Sequence, residues 1–216
     1  MSRKLFLFLC LACSLMGLAR SETKSPERPN VHVGDVWSYR VLDGFTDETK
    51  FEISYRLVNI SESELTTRME WKGKPNKGLA IFDRQWNMID DGQTKYEPAR
   101  ISAKFPMQVG DSWKQKFQSS NLRSGQTYYH IASANVGNIE KITVPAGTFT
   151  AYKVEIVAEI RGADADAGIT KNVVKYWYSP EVNREVKLEV QTIANGRLRD
   201  KSITELTVYA PSKMPN

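Results

Sequence analysis

The feature that most constrains the fold is a long run of alternating residues in the last third of the chain. From Thr148 to Ile160 every second residue is mostly apolar, and charged residues such as Lys153 and Glu155 lie between them. A period of two places the apolar side chains on one face of an extended strand. The segment therefore predicts a long β-strand with one buried face and one solvated face.

The same alternation recurs along most of the chain. After Pro180, Leu188 and Val190 are predicted to point inward, together with Val186, while Glu185 is predicted to face solvent. Other segments with this pattern are 37–41, 51–57, 65–71, 79–82, 112–118, 126–134, 139–144, 171–178 and 202–209. No window beyond the N-terminus shows a helical period. The sequence predicts an all-β, antiparallel fold of about ten to twelve strands, arranged as a β-sandwich or as a curled half-barrel.

Two kinds of short motif punctuate these strands. Asp90-Asp91-Gly92 and Asn195-Gly196 are predicted hairpin turns. The sequence Val-Gly-Asp-x-Trp occurs at 33–37 and again at 109–113. This repeat leaves two interpretations open: shared strand-entry chemistry, or a single β-rich domain at 31–210 built from two similar halves, 31–105 and 106–210.

The N-terminus predicts export. Arg3 and Lys4 precede an uncharged apolar run, 5–18, and small residues lead up to a cleavage site after Ala19. This pattern is typical of a signal peptide, residues 1–19, and the run is short for a membrane span. A retained anchor remains an alternative. So does a lipoprotein, because Leu11-Ala12-Cys13 is a partial lipobox that would make Cys13 the lipidated residue.

The mature chain has few special chemical features. Residues 20–30, with Pro26 and Pro29, are predicted to be a flexible lead-in, and 211–216 a tail. Both cysteines lie in the leader, so no disulfide is expected in the mature protein. Loss of Arg3 and Lys4 with the leader lowers the formal net charge from +5 to +3. This mild excess does not indicate nucleic-acid binding, and no later segment predicts an integral membrane span.

Catalytic and metal-binding motifs are mostly missing. The two histidines, His32 and His130, are far apart, and no zinc-peptidase, nucleophile-elbow or phosphate-loop motif occurs. Asp164-x-Asp166-x-Gly168 begins like a calcium loop but lacks its later ligands, so a polar hairpin tip is expected there. The sequence therefore assigns no catalytic residue, no metal ligand and no cofactor.

Aromatic residues are the one suggestive feature. The chain has five tryptophans, nine tyrosines and eight phenylalanines, and three of these aromatic residues are consecutive at 176–178. In a strand the outer two would share one face and the middle one would point to the other. Packing in the core and contact with a ligand are both open for them. The candidate ligand-binding residues are Tyr176, Trp177, Tyr178, Tyr152, Trp113 and Trp37.

Three motifs in succession carry a resemblance to a known group. These are Phe-Pro-Met-Gln-Val-Gly-Asp-Ser-Trp at 105–113, Val-Pro-Ala-Gly-Thr-Phe at 144–149 and Tyr-Trp-Tyr-Ser-Pro-Glu-Val at 176–182. The succession resembles that of secreted bacterial proteins with a domain of unknown function. The resemblance implies an antiparallel β-rich envelope domain and transfers no catalytic residue. Asn183 stands where that pattern has a glycine, so the corner there is expected to be built differently.

Together these observations favour a non-enzymatic exported protein, periplasmic or extracellular, that binds a lipid-like ligand or another envelope component. An envelope hydrolase acting on a glycan or an ester is the second hypothesis, and it predicts a polar cleft with His130 or two carboxylates. A structural or assembly protein without a ligand is the third, and it predicts no pocket but an exposed apolar patch or sheet edge.

Overall fold

The computed structural model describes residues 25–75, 77–163 and 168–212. Within these residues the chain forms twelve β-strands and no helix. The strands are β1 (Val36–Asp43), β2 (Thr49–Ile60), β3 (Glu64–Trp71), β4 (Lys77–Asp83), β5 (Met88–Asp90), β6 (Thr94–Arg100), β7 (Ser112–Asn121), β8 (Thr127–Val144), β9 (Gly147–Gly162), β10 (Thr170–Ser179), β11 (Arg184–Ala194) and β12 (Arg197–Ala210). The predicted leader, Cys13, Asp164 and Asp166 lie outside the described residues.

The strands close into one antiparallel barrel. Each strand pairs with its neighbours in sequence, and β1 pairs with β12 from Val36 opposite Ala210 to Asp43 opposite Ser202. The all-β class and the strand number are confirmed. The β-sandwich is wrong, and the half-barrel closes completely, because pairing of the first strand with the last leaves no sheet edge unpaired.

Two details of the strand prediction differ from the structure. The segments 126–134 and 139–144 form one strand, β8, with a bulge between Val136 and Ile139. The extra residue of a bulge bends the strand and changes which side chains face inward. The strands β5 and β6 both escaped prediction, because β5 has only three residues and β6 is mostly polar and contains Pro98.

The predicted turns are present. Asn195 and Gly196 have φ angles of 52° and 69° and connect β11 to β12. Two consecutive left-handed residues match the right-handed twist of a two-residue hairpin. Gly92, with φ of 84°, lies in the turn between β5 and β6, where its N–H donates to the Asp90 carboxylate at 2.7 Å.

The two Val-Gly-Asp motifs form the same turn. In the first, the Asp35 carboxylate accepts from the N–H of His32 at 2.9 Å; in the second, the Asp111 carboxylate accepts from the N–H of Gln108 at 2.8 Å. The two glycines have similar φ angles, 101° and 95°. One turn precedes β1 and the other precedes β7, the first strand of each set of six. Origin of the barrel from two similar halves stays a prediction.

The buried side chains form two clusters. One contains Trp37, Trp86 and Trp177, and the other contains Tyr152 and Tyr176. Tyr176 and Trp177, adjacent in β10, therefore contribute to different clusters, as the strand period predicts. Burial of large aromatic side chains on both faces of β10 stabilises this part of the barrel without a disulfide in the described part of the chain.

The two ends of the barrel differ. In an antiparallel meander, the hairpins that follow odd-numbered strands all lie at one end, which we call the mouth. The opposite end carries the turn between β10 and β11 and the entry to β1; we call it the closed end because Trp86 and Val182, in its turns, are buried. There the N–H of Ser212, after β12, donates to the carboxylate of Asp35 at 2.7 Å. Residues 25–30 form no strand, but Pro26 and Pro29 are buried, and the carbonyl of Pro26 accepts from Met107 at 3.1 Å. No helix of the described ranges is long and apolar enough to cross a bilayer.

Candidate ligand-binding site

A cavity of about 640 Å³ lies inside the barrel. Its wall is mainly aliphatic and aromatic and includes Val41, Ile53, Ile156, Val174, Leu188 and Val190. Cavities of this size hold small-molecule ligands, and a wall of this composition suits an apolar one. A twelve-stranded barrel is wider than the eight-stranded barrels that side chains alone can fill, so the strand number leaves room for a cavity that large side chains could otherwise occupy.

The cavity extends from the mouth towards the closed end. Phe51, Asn121 and Tyr128 line it near the mouth, where β1–β2 and β7–β8 turn, and Arg184 lines it at the closed end. The tips of the mouth hairpins carry large apolar residues that are exposed, among them Phe45 and Leu122. The mouth therefore presents apolar surface beside the entrance of an apolar cavity.

Arg184 is the most unusual residue of this wall. Its side chain is only 3% exposed, and its guanidinium is surrounded by five rings that we call the aromatic cage. The cage consists of Trp37, Tyr39, Tyr55, Phe82 and Trp86, whose centroids lie 5.4, 5.9, 4.5, 5.2 and 4.5 Å from the guanidinium carbon. Aromatic faces attract a cation that has lost its water, so the cage offsets part of the cost of burial.

The turn that precedes Arg184 is fixed by two tryptophans. The indole N–H of Trp37 donates to the carbonyl of Val182 at 2.8 Å, and that of Trp86 donates to the carbonyl of Asn183 at 2.8 Å. Asn183 has a φ of 55°, in the left-handed region that glycine and asparagine tolerate best. Asn183 therefore has a backbone conformation that a glycine at this position would also adopt, and Arg184 follows it directly into the barrel.

Glu185 is the counter-ion of Arg184. The Nε of Arg184 lies 3.3 Å from each carboxylate oxygen of Glu185, whereas the buried Nη1 has no hydrogen-bond partner in the described part of the chain. Glu185 was predicted to face solvent, which is wrong: a register shift between Trp177 and Tyr178 in the β10–β11 pairing places it on the cavity wall.

Three tyrosines lie around this ion pair. The hydroxyl of Tyr39 donates to the backbone carbonyl of Glu185 at 3.0 Å. Burial raises the pKa of Tyr39 and of Tyr176 well above 10.0, and a hydrogen bond from Tyr176 to Glu185 adds to the rise for Tyr176. Burial also raises the pKa of Tyr55. All three phenols therefore stay protonated near neutral pH, and those of Tyr39 and Tyr176 donate hydrogen bonds to Glu185.

A second polar group lies on the side of the cavity formed by β6, β7 and β8. The Nε2 of His130 is 2.8 Å from the hydroxyl of Ser119, and its ring stacks on Phe117 at 4.3 Å. Burial, with a smaller contribution from the charge of Arg100, lowers the pKa of His130 to about 4. The imidazole is therefore neutral near pH 7, so it adds no charge to the cavity.

The candidate residues taken from the sequence are distributed over the barrel. Tyr176 lines the cavity. Tyr152, Tyr178 and Trp113 pack in one buried cluster, and Trp37 and Trp177 pack in the other. Trp177 also donates from its indole N–H to the carboxylate of Glu140 at 2.9 Å. Trp37 does not line the cavity but contacts Arg184 as part of the aromatic cage, and its hydrogen bond fixes the turn before Arg184.

Sequence reasoning missed Arg184 and Arg100, both of which line the cavity. A signal was present for Arg184, because it is a cation directly after a turn and two residues before the inward-facing Val186. A charged residue in phase with the buried residues of a strand indicates a candidate site in the barrel interior.

No group of three metal-binding side chains occurs among residues 25–75, 77–163 and 168–212.

The fold and cavity define a closed antiparallel barrel with space for a ligand, and two solved structures share the fold. One, from Parabacteroides distasonis, is described as a "putative lipoprotein"; the TM-score is 0.58 at 17% identity, covering 85% of this chain and 98% of that one. The other, from Bacteroides fragilis, is described as a "putative exported protein with YmcC-like fold"; the TM-score is 0.58 at 15% identity, covering 85% of this chain and 99% of that one.

At these identities the similarity establishes the fold, which is YmcC-like. The two descriptions agree with the exported location predicted from the leader of this chain. No protein-family model matches the chain, and no curated protein matches it significantly.

Proposed function

We propose that this chain is an exported, non-enzymatic envelope protein that holds a lipid-like ligand inside its barrel. The observation that carries the proposal is the internal cavity of about 640 Å³ with its mainly apolar wall. A purely structural protein needs no such space, because empty cavities cost packing energy. Contact with another envelope component would instead use the outside of the barrel.

The test is native mass spectrometry on protein exported to a bacterial periplasm and purified without detergent. We expect a reproducible extra mass that is released as an organic compound on denaturation. Ala132→Phe should abolish this mass, because Ala132 is buried and lines the cavity, so the ring would occupy the ligand space. Ser133→Phe is the matched control, since Ser133 is the next residue of β8 and is exposed.

Two results would contradict the proposal. One is a clean mass for the wild-type protein combined with no uptake of the neutral fluorescent probe N-phenylnaphthylamine. The other is an extra mass that persists unchanged in folded Ala132→Phe, because the bound compound would then lie outside the barrel. Either result would favour a partner-binding protein, for which a pull-down from envelope extract is the next experiment.

An ester hydrolase is the second candidate, and one observation favours it. Ser119 and His130 lie in the cavity with their side chains 2.8 Å apart, the spacing of a nucleophile and its base. Two facts weaken this candidate. The pKa of His130, about 4, makes the imidazole a weak base, and no carboxylate of the described residues bonds its other nitrogen. Labelling of Ser119 by a fluorophosphonate, absent in Ser119→Ala, would establish the hydrolase instead.

A further inference from the structure

The closed end of the cavity contains a cation with an unused hydrogen-bond donor. Arg184 is 3% exposed, it lines the cavity, and its Nη1 has no acceptor among the described residues. Buried charged donors are ordinarily paired, because an unmet one costs more than a hydrogen bond returns. The aromatic cage compensates the charge in part, but a ring face is a weaker acceptor than an oxygen anion.

Arg100 brings a second positive charge to the same cavity. It is partly buried at the end of β6, and its guanidinium lies 4.7 Å from the ring centroid of Tyr96, with Nη1 3.5 Å from the Tyr96 hydroxyl. No carboxylate of the described residues lies within ion-pair distance of Arg100. The pKa of Tyr55, which burial raises, is lowered by the charges of Arg184 and Arg100 and raised by those of Glu185 and Asp91. The Tyr55 phenol therefore lies within electrostatic range of both arginines.

The charges of the wall do not cancel. Arg100 and Arg184 contribute two positive charges, and Glu185 is the one carboxylate among the described residues that line the cavity. Asp91 lies behind this wall, where its carboxylate accepts from the Tyr96 hydroxyl at 3.0 Å. Neutral His130 contributes none. An excess positive charge in an apolar, partly dehydrated space attracts an anion and repels a cation.

We propose that the ligand is a single-chain amphiphile with a carboxylate head, held by the guanidinium groups of Arg184 and Arg100 with its chain along the apolar wall towards the mouth. This inference rests on the proposed function. The cavity volume suits one chain rather than a two-chain phospholipid. The exposed apolar residues Phe45 and Leu122 lie in the mouth hairpins, at the end towards which the distal part of such a chain would point.

The test compares three ligands that share a chain and differ in the head group. N-phenylnaphthylamine is bound to the intact protein, and dodecanoate, dodecanol or dodecyltrimethylammonium is titrated in below its micelle concentration near neutral pH. We expect dodecanoate to displace the probe at a concentration about tenfold lower than either competitor, which is the effect of one charge-assisted hydrogen bond. Equal displacement by all three, or a preference for the cation, would overturn the inference.

Variants of the arginines locate the effect. Arg100→Gln should weaken displacement by dodecanoate about tenfold and leave that by dodecanol unchanged, and Arg100→Lys should keep part of the preference. Arg123→Gln, in the exposed loop between β7 and β8, is the matched control and should change nothing. If folded Arg100→Gln and Arg184→Gln both keep the full preference for dodecanoate, the inference is wrong. Should Arg184→Gln fail to fold, the Arg100 variants still decide.

The inference and the proposed function fail in different ways. If the probe and dodecanol enter the barrel but dodecanoate binds no better, the cavity binds ligands without regard to charge and only the inference falls. If neither the probe nor any dodecyl compound enters, the binding function itself is wrong. Competition by N-phenylnaphthylamine with the natural extra mass, followed by native mass spectrometry, shows whether both occupy the same space.

Discussion

The ring of Trp86 lies 4.5 Å from the guanidinium of Arg184, and its indole N–H donates at 2.8 Å to the carbonyl of Asn183, the residue before that arginine. Trp86 thus fixes the backbone before Arg184 through its N–H and contacts the guanidinium of Arg184 through its ring. The position of Arg184 is therefore set by a tryptophan about a hundred residues earlier in the sequence.

Removal of Arg184 is expected to destabilise the barrel. Arg184→Met leaves the carboxylate of Glu185, which is 17% exposed, without its counter-ion, and we expect a loss of about 3 kcal/mol in the free energy of unfolding. Denaturant titration measures this loss, with Arg68→Met on the exposed face of β3 as the control. The double change Arg184→Met with Glu185→Leu should recover most of the stability. A double variant as unstable as the single one would show that the ion pair is not the cause.

The indole of Trp86 is expected to contribute through its hydrogen bond as well as its ring. Trp86→Phe keeps an aromatic ring in the cage and removes the donor to Asn183, so the free energy of unfolding should fall by about 1 to 2 kcal/mol. Trp71→Phe is the control, because it makes the same substitution in β3, away from this turn. Equal losses in the two variants would mean that ring size, and not the bond to the turn, determines the effect.

The left-handed backbone at residue 183 leads to a prediction that separates conformation from contact. Asn183→Gly and Asn183→Ala both remove the side-chain acceptor that Asn30 uses at 3.0 Å. Only alanine has a Cβ that opposes a φ of 55°, so Asn183→Ala should be less stable than Asn183→Gly by about 1 kcal/mol. Thermal and denaturant unfolding of the two variants measure the difference, and equal stability would argue against a strained corner.

His130 is expected to make stability fall in mild acid. Burial lowers its pKa in the folded state from 6.5 to about 4, so the unfolded chain binds the additional proton first as the pH falls. Above pH 6.5 His130 is neutral in the folded and the unfolded protein, so it does not lower the stability. Between pH 6.5 and 4 only the unfolded chain takes up the proton, and the free energy of unfolding falls. We expect this fall in the free energy of unfolding to be about 1 to 2 kcal/mol, because solvent in the partly open cavity screens part of the effect.

The matched variant for this prediction is His130→Gln, which keeps a hydrogen-bonding side chain beside Ser119 and does not titrate. Between neutral pH and pH 4.5, this variant should lose less unfolding free energy than the wild-type protein. The expected difference between the two losses is about 1 to 2 kcal/mol. Parallel pH profiles of the two proteins would show that His130 is not the group that titrates.

Much of the fold was predictable because it depends on a local pattern. Alternation identified β9, and its predicted inward residues Tyr152, Val154 and Ile156 are buried. Closure was not predictable in this way, because pairing of β1 with β12 depends on strand tilt and stagger summed around the whole sheet. The bulge after Val136 was missed for a related reason, since an extra residue in a strand leaves the two flanking patterns intact.

The site was less predictable than the fold. The consecutive aromatics drew attention to β10, and Tyr176 does line the cavity, but the charged groups come from the next strand. The alternation in β11 assigns Glu185 to the solvent side. The register shift in the pairing with β10, which the sequence does not reveal, places it on the cavity wall instead. The cage of Arg184 combines side chains from β1, β2, β4 and the β4–β5 turn. Such a contact between distant segments leaves no pattern of residue spacing in any one of them.

The bond between Ser212 and Asp35 places both ends of the barrel chain at the closed end, opposite the mouth. Anything attached before residue 25, whether a lipid anchor or a fusion partner, therefore pulls on the end that holds Arg184. In a tethered molecule the point of attachment and the mouth would therefore lie at opposite ends of the barrel. A ligand of the proposed kind would then enter at the end of the barrel that is remote from the attachment point.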